Sequence, residues 1–126
     1  MIASLHQVML YVDNQQEVVK FWTEQVGFEK LAENELPEGY QSVEIAPHAE
    51  SETSLVIFDK AFIKKYSPMV SLETPSLMFN VNNADDLYQS FKEKGITVGE
   101  LTAMPNMKVF NFCDPDENYF AVMEQL

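Results

Sequence analysis

Hydrophobic and polar positions follow two different periods in the first part of the chain. Residues 7–12 (QVMLYV) alternate in hydrophobicity enough to predict a strand. The next stretch has its apolar residues at helical spacing, which predicts an amphipathic helix packed on a sheet. Those helical positions are Val18, Val19, Trp22 and Val26.

Gly27 suits the left-handed position that ends a helix. Asp13 or Asn14 can cap its start by accepting backbone N–H bonds. Three more strands are predicted, at residues 28–32, 40–45 and 53–58. The first part of the chain therefore predicts the order βαβββ.

The second half repeats this order. A strand at 76–81 is followed by an Asn pair, a helix at 84–94 with Leu87 and Phe91 on one face, and Gly95 at its end. Further strands are predicted at 96–101, 108–112 and 119–123. A repeat over about half the chain indicates a duplicated unit.

Residues 1–126 are predicted to form a single domain of a length that suits one compact fold. Unit one covers about 1–59 and unit two about 75–126. The linker, about 60–74, has a short helix at 60–66, and Pro68 and Pro75 make the chain beside it irregular.

Two segments carry a resemblance to a known family. Residues 6–12 (HQVMLYV) with 21–28 (FWTEQVGF), and residues 112–124 (FCDPDENYFAVME), resemble the opening and closing motifs of the vicinal-oxygen-chelate superfamily. That superfamily includes glyoxalase I, bleomycin-resistance proteins, fosfomycin-resistance proteins and extradiol dioxygenases. The resemblance covers nearly the whole chain, with Glu117 where the family usually has glycine.

The resemblance implies an α+β fold of two βαβββ units. Each unit contributes one curved four-stranded sheet, the two sheets form a half-open barrel, and the helices lie outside. The family's small-molecule cavity lies against the concave face. Chains of this size in the family commonly form homodimers, so we expect a homodimer.

Composition excludes several classes of function. The net charge is -12 and the sequence contains no arginine, so nucleic-acid binding is not expected. There is no run of about 18 apolar residues for a membrane span and no signal-peptide pattern. A single cysteine, Cys113, cannot form an internal disulfide, so a cytoplasmic location is expected. The acidity is either solvated surface or a feature that attracts a cationic ligand.

Metal-using members of the family take four ligands from the first and fourth strands of the units. The matching positions here are Gln7, Val56 or Ile57, Ser76 and Ala121. Only Gln7 is able to ligate, and a divalent metal needs several converging donors. No metal or other cofactor is therefore predicted.

The predicted cavity lining is mainly apolar and sulfur-rich, with a few polar groups. Such a lining suits a mainly hydrophobic or aromatic molecule fixed by a few hydrogen bonds, and the acidity of the chain would favour a cationic one. The ligand-binding residues inferred from alternation are Gln7, Met9, Tyr11, Ile57, Ser76, Met78, Asn80, Tyr119 and Ala121, and the same face also contains Leu55 and Met123.

The favoured function is metal-independent sequestration of a small molecule, as the resemblance to bleomycin-resistance proteins implies. One alternative is a metal-dependent lyase or isomerase of glyoxalase (lactoylglutathione lyase) type, with a ligand set such as His6, Glu44 and Glu124. Another is a regulatory or interaction module. Catalytic residues, the identity of the ligand and the existence of a reaction stay open at this point; a tyrosine paired with Glu44 is the one acid–base arrangement considered.

Overall fold

The computed structural model describes all 126 residues, and the chain divides into two units, Met1–Thr74 and Pro75–Leu126. Each unit contains one four-stranded sheet with the order βαβββ along the chain. The α+β class and the duplicated unit predicted from the sequence are thereby confirmed.

Unit one has four strands and two helices. Its elements are β1 (Gln7–Val12), α1 (Gln15–Lys20), β2 (Glu29–Glu35), β3 (Gln41–Ala46), β4 (Ser54–Asp59) and α2 (Lys60–Tyr66). The strand order across the sheet is β1-β4-β3-β2, with β1 parallel to β4 and the other pairs antiparallel. The predicted helix at 60–66 is therefore confirmed, and it lies within the first unit.

Unit two repeats the arrangement with one helix. Its elements are β5 (Met78–Asn80), α3 (Ala84–Glu93), β6 (Thr102–Met104), β7 (Met107–Cys113) and β8 (Tyr119–Gln125). The order β5-β8-β7-β6 matches that of unit one, again with a parallel first pair.

The α1 helix continues into a π-helical segment, Phe21–Val26, before it ends at Gly27. The N–H groups of Gly27 and Phe28 both donate to the carbonyl of Trp22, at 3.0 and 2.9 Å. Gly27 has φ 97° and Gly95 has φ 77°, so the predicted left-handed helix ends are confirmed.

The helix starts differ between the units. Asn83 caps α3, since its Oδ1 accepts from the N–H of Asp86 at 3.1 Å. Asn14 occupies the N-cap position of α1 without a side-chain capping bond.

One face of each sheet carries the core of its unit. In unit one the core includes Leu10, Ile45 and Ile57 of the strands, with Val18 and Trp22 of the helical segment, all at most 2% exposed. In unit two, Phe91 of α3 lies edge-on to Phe112, with ring centroids 5.2 Å apart. In unit one the opposite face is partly covered by α2, since the ring of Phe62 stacks on that of Phe58 with centroids 6.2 Å apart.

The predicted strand at 96–101 is wrong. Only Val98 bridges to Phe112 in that stretch, and the strand β6 begins at Thr102 instead. The physical reason is strand pairing. Met104 lies opposite Met107 across a tight turn, and this hairpin determines which residues of β6 can pair continuously with β7.

None of the helices has the length and hydrophobicity of a transmembrane helix.

Candidate ligand-binding faces

Strand register decides which side chains share the face of the unit-one sheet that lies opposite α1. In the parallel pair β1–β4, Gln7 lies opposite Ser54 and Tyr11 lies opposite Phe58. Glu44 of β3 lies opposite Val56 of β4. Paired residues project on the same side of a sheet, and the side alternates along each strand. We call this surface the open face of unit one because α1 does not cover it, although Ser42, Ala46, Ser54 and Val56 on it are at most 5% exposed. Its members are Gln7, Met9, Tyr11, Ser42, Glu44, Ala46, Ser54, Val56 and Phe58.

The predicted placement of Ile57 on this face is wrong. Ile57 lies opposite Leu10 in the register of β1 and β4, and it is 0% exposed in the core of unit one. Leu55 likewise pairs with Val8, on the side away from Gln7. Since even-numbered residues of β4 match odd-numbered residues of β1, Val56 occupies the place that the sequence analysis assigned to Ile57.

A polar cluster joins three strands of this face. One carboxylate oxygen of Glu44, Oε2, accepts from Gln7 Nε2 at 3.2 Å and from Ser54 Oγ at 2.7 Å. Ser54 is 4% exposed, and Gln7 and Glu44 are partly buried. Neither Ser54 nor the link between Glu44 and Gln7 was predicted from the sequence. The available signal was an acid between two apolar residues, Val43 and Ile45, in the interior of a strand.

Unit two brings its predicted residues together on one surface. Met78 lies opposite Ala121 and Asn80 opposite Met123, while Phe79 and Val122 pair on the other side. Tyr119 follows the same alternation and pairs with Cys113. We call this surface the open face of unit two; its members include Met78, Asn80, Asn111, Tyr119, Ala121 and Met123.

This second face is apolar and accessible. Met78 is 57% exposed and Tyr119 is 61% exposed, values far above those of the core aromatic residues. Ser76 is exposed and precedes β5 by two residues, so it lies outside the strand itself. The prediction that the two open faces line one cavity stays a prediction.

The donor set does not fit a glyoxalase-type metal. On the open face of unit one, the amide of Gln7 is hydrogen-bonded to Glu44, and Val56 stands at the family's carboxylate position. Nowhere in the chain do three or more His, Cys, Asp or Glu side chains gather in a way that could hold a metal ion.

The alternative ligand set of His6, Glu44 and Glu124 also lacks support. Glu124 Oε1 accepts from the backbone N–H of Ala84 at 2.8 Å, at the first turn of α3. That bond satisfies a helix N-terminus, where a carboxylate is favoured by the dipole. His6 is exposed and precedes β1.

A separate groove of about 520 Å³ in unit one lies along α1 and the strands β2 and β3. It is lined mainly by polar and charged side chains, among them Gln15, Lys20, Lys30 and Glu33. None of the predicted ligand-binding residues contributes to it.

The turn between β7 and β8 contains a buried acid with a structural role. Asp114 Oδ1 accepts from the backbone N–H groups of Asp116 and Asn118, both at 2.9 Å, and Oδ2 accepts from Asn118 Nδ2 at 3.0 Å. Burial raises the pKa of Asp114 above its ordinary value, and these hydrogen bonds oppose the rise. All of these hydrogen bonds lie within the turn, so the Asp114 side chain stabilises the turn.

Two βαβββ units, each with its own four-stranded sheet, define a class of small α+β proteins. The Glyoxalase/Bleomycin resistance protein/Dioxygenase superfamily matches residues 4–122, so the chain belongs to this superfamily. The predicted family resemblance is confirmed.

The chain is similar in sequence to one curated protein and similar in fold to several solved structures. The chain is 33% identical over 125 residues to the uncharacterized protein YetH of Bacillus subtilis strain 168, covering 98% of this chain and 100% of YetH. The structure of TnmS3, an antibiotic binding protein from Streptomyces sp. CB03234, matches with a TM-score of 0.82 and 24% identity over 99% of this chain and 98% of TnmS3. Lactoylglutathione lyase from Agrobacterium tumefaciens matches with a TM-score of 0.76 and 20% identity over 98% of this chain and 94% of the lyase.

Proposed function

We propose that the chain binds and sequesters a small organic molecule, largely apolar or cationic, without a catalytic metal. The observation that carries this proposal is the exposed thioether and phenol pair, Met78 and Tyr119, on the open face of unit two. Flexible sulfur-bearing side chains and aromatic rings adapt to apolar ligands and gain binding energy from the area they cover.

Two further observations support binding over catalysis. The family resemblance places the metal-ligand positions at Gln7, Val56 or Ile57, Ser76 and Ala121, which do not make up a metal donor set. TnmS3, which shares the fold, is described as an antibiotic binding protein. The proposed ligand is therefore an antibiotic or a metabolite of similar chemistry, held in the manner of the bleomycin-resistance proteins.

The test is calorimetric titration of the purified chain with a panel of cationic and neutral aromatic antibiotics that includes bleomycin. We expect at least one member to bind and to raise the melting temperature. Trp22 fluorescence is a poor reporter because this side chain is 0% exposed in the core of unit one. If no member of the panel binds at millimolar concentration, the proposal is wrong.

Variants locate the bound molecule. Replacement Met78→Ala removes apolar area worth roughly 1 kcal/mol, so we expect about a fivefold loss of affinity. Met69→Ala is the matched control, since Met69 is 98% exposed and lies outside both sheets. Equal affinities for the two variants would contradict a site on this face.

A second candidate is a glyoxalase-type lyase, favoured by the place of Gln7 at a family ligand position and by the shared fold with a lactoylglutathione lyase. Turnover of the methylglyoxal–glutathione adduct after addition of Ni²⁺ or Zn²⁺ distinguishes it from simple binding.

A further inference from the structure

Glu44 is held in place by neutral groups alone. Gln7 Nε2 and Ser54 Oγ both donate to its Oε2, and neither donor carries a charge. An ionised carboxylate accepts about four hydrogen bonds, two at each oxygen. The two hydrogen bonds to Oε2 therefore orient the carboxylate, and its other oxygen, Oε1, can still accept hydrogen bonds from a ligand.

No basic side chain neutralises this carboxylate. The five ion pairs of the chain are Lys30–Glu33, His48–Glu50, Lys60–Asp13, Lys65–Glu38 and Lys108–Asp85. The acids in those pairs are among the exposed or half-exposed ones, whereas Glu44 is partly buried and belongs to none of them. Glu44 therefore has no counter-ion within the chain, and a cationic ligand would supply one.

The surroundings of Glu44 suit an organic cation. Val56 lies directly opposite it, and Met9 lies opposite Val56 on the next strand, so apolar groups border the carboxylate. Tyr11 and Phe58 form a ring pair on the same face, with centroids 5.9 Å apart. Apolar neighbours strengthen a charge interaction, and aromatic rings attract cations.

Resting on the proposal that the chain binds a small organic molecule, we infer that Glu44, on the open face of unit one, is the anionic anchor for an organic ammonium or amidinium group. The Met78 and Tyr119 surface of unit two is a separate proposed contact. Gln7 and Ser54 are positioning residues that orient the carboxylate. A neutral or anionic ligand would leave the charge of Glu44 uncompensated. A divalent metal ion would need several more oxygen donors than this single carboxylate supplies.

The test compares two nearly isosteric probes, 1-naphthylmethylamine, which is a cation at pH 7, and the neutral 1-naphthylmethanol. We expect the wild-type chain to bind the amine at least tenfold more tightly, and this preference to shrink when NaCl is raised from 50 to 500 mM. Glu44→Gln should reduce amine affinity about tenfold and leave alcohol affinity within twofold. Glu93→Gln, an exposed position on α3, is the control and should change neither affinity.

The positioning role of Ser54 has a separate readout. Ser54→Ala should lower the amine-to-alcohol preference, and Ser54→Thr, which keeps a hydroxyl, should restore it. A purely structural role would change the melting temperature and leave the preference intact. Circular dichroism of each variant confirms that it is folded.

Each outcome has a defined meaning. Equal affinity for the two probes, or an amine affinity that Glu44→Gln leaves unchanged, overturns the assignment of Glu44. Failure of the wild-type chain to bind either probe also overturns it, while binding of an antibiotic from the panel in the same assay keeps the proposed function. Failure of the probes and of the whole panel removes both.

Discussion

Glu117 holds a left-handed backbone conformation, with φ 63°, in the turn that joins β7 to β8. L-residues with a Cβ are disfavoured there, whereas glycine is not. The family motif usually has glycine at this position, and the chain keeps the same turn geometry without it. The bonds from Asp116 and Asn118 to Asp114 hold the turn in place around Glu117.

Replacement of Glu117 by glycine should therefore be tolerated. The relief of the left-handed conformation is worth about 1 kcal/mol, and the greater freedom of glycine in the unfolded chain offsets part of it. We expect Glu117→Gly to leave the free energy of unfolding unchanged or to raise it by up to about 1 kcal/mol in urea titrations.

The same substitution at Glu100, an exposed residue with no positive φ, is the control. Glu100→Gly should not be stabilising. A loss of more than about 1 kcal/mol in Glu117→Gly, beyond the effect at Glu100, would show that the Glu117 side chain itself supports the turn.

At the scale of elements, the pairing of β1 with β4 separates two neighbouring side chains into different environments. Ile57 is 0% exposed and paired with Leu10 in the core, while Val56 lies on the open face beside Glu44. A substitution at Ile57 should therefore act on stability and not on ligand preference.

Ile57→Val removes one buried methylene-sized group, so we expect a loss of about 1 kcal/mol in the free energy of unfolding. The preference for 1-naphthylmethylamine over the alcohol should be unchanged. Ile2→Val is the matched control, because Ile2 is 92% exposed and should show no change in stability. A shift in ligand preference without a loss of stability would place Ile57 on the ligand-binding face after all.

At the scale of the whole molecule, the chain keeps its family's duplicated architecture while its metal-ligand positions carry other side chains. The motif residues, the helix ends and both sheets persist, since they are set by packing and backbone geometry. Metal ligands act only as a set, so a chain with Gln7 as its one ligand-capable family position is not expected to hold such an ion.

We therefore expect the purified chain to contain less than about 0.1 transition-metal ion per polypeptide by elemental analysis after dialysis, given that one candidate donor does not hold such an ion. Incubation with excess Zn²⁺ or Ni²⁺ followed by dialysis should not change this. About one retained ion per chain would refute the prediction and favour the lyase alternative. The expected homodimer remains a prediction, which light scattering of the same preparation can check.

The sequence analysis predicted the elements well because local physical chemistry decides them. Alternation predicted β1, the spacing of Val18 and Trp22 predicted the first helix, and two glycines predicted the helix ends. Alternation also predicted that one face of unit two groups Met78 and Asn80 of β5 with Tyr119 and Ala121 of β8. Residues two apart on a strand project on the same side, and the pairing of Met78 with Ala121 brings the two sets together.

Other features depended on pairing between distant segments. Gln7 and Glu44 are 37 residues apart, and their hydrogen bond exists only because β1 and β3 both pair with β4, which places both residues beside Ser54. Alternation fixes the side of each residue within its own strand but not the register between strands, so Ile57 was assigned to the wrong face. The sequence by itself therefore determined the elements, their duplication and the acidic charge; the tertiary structure alone decided which strands align, and through that alignment which side chains surround Glu44.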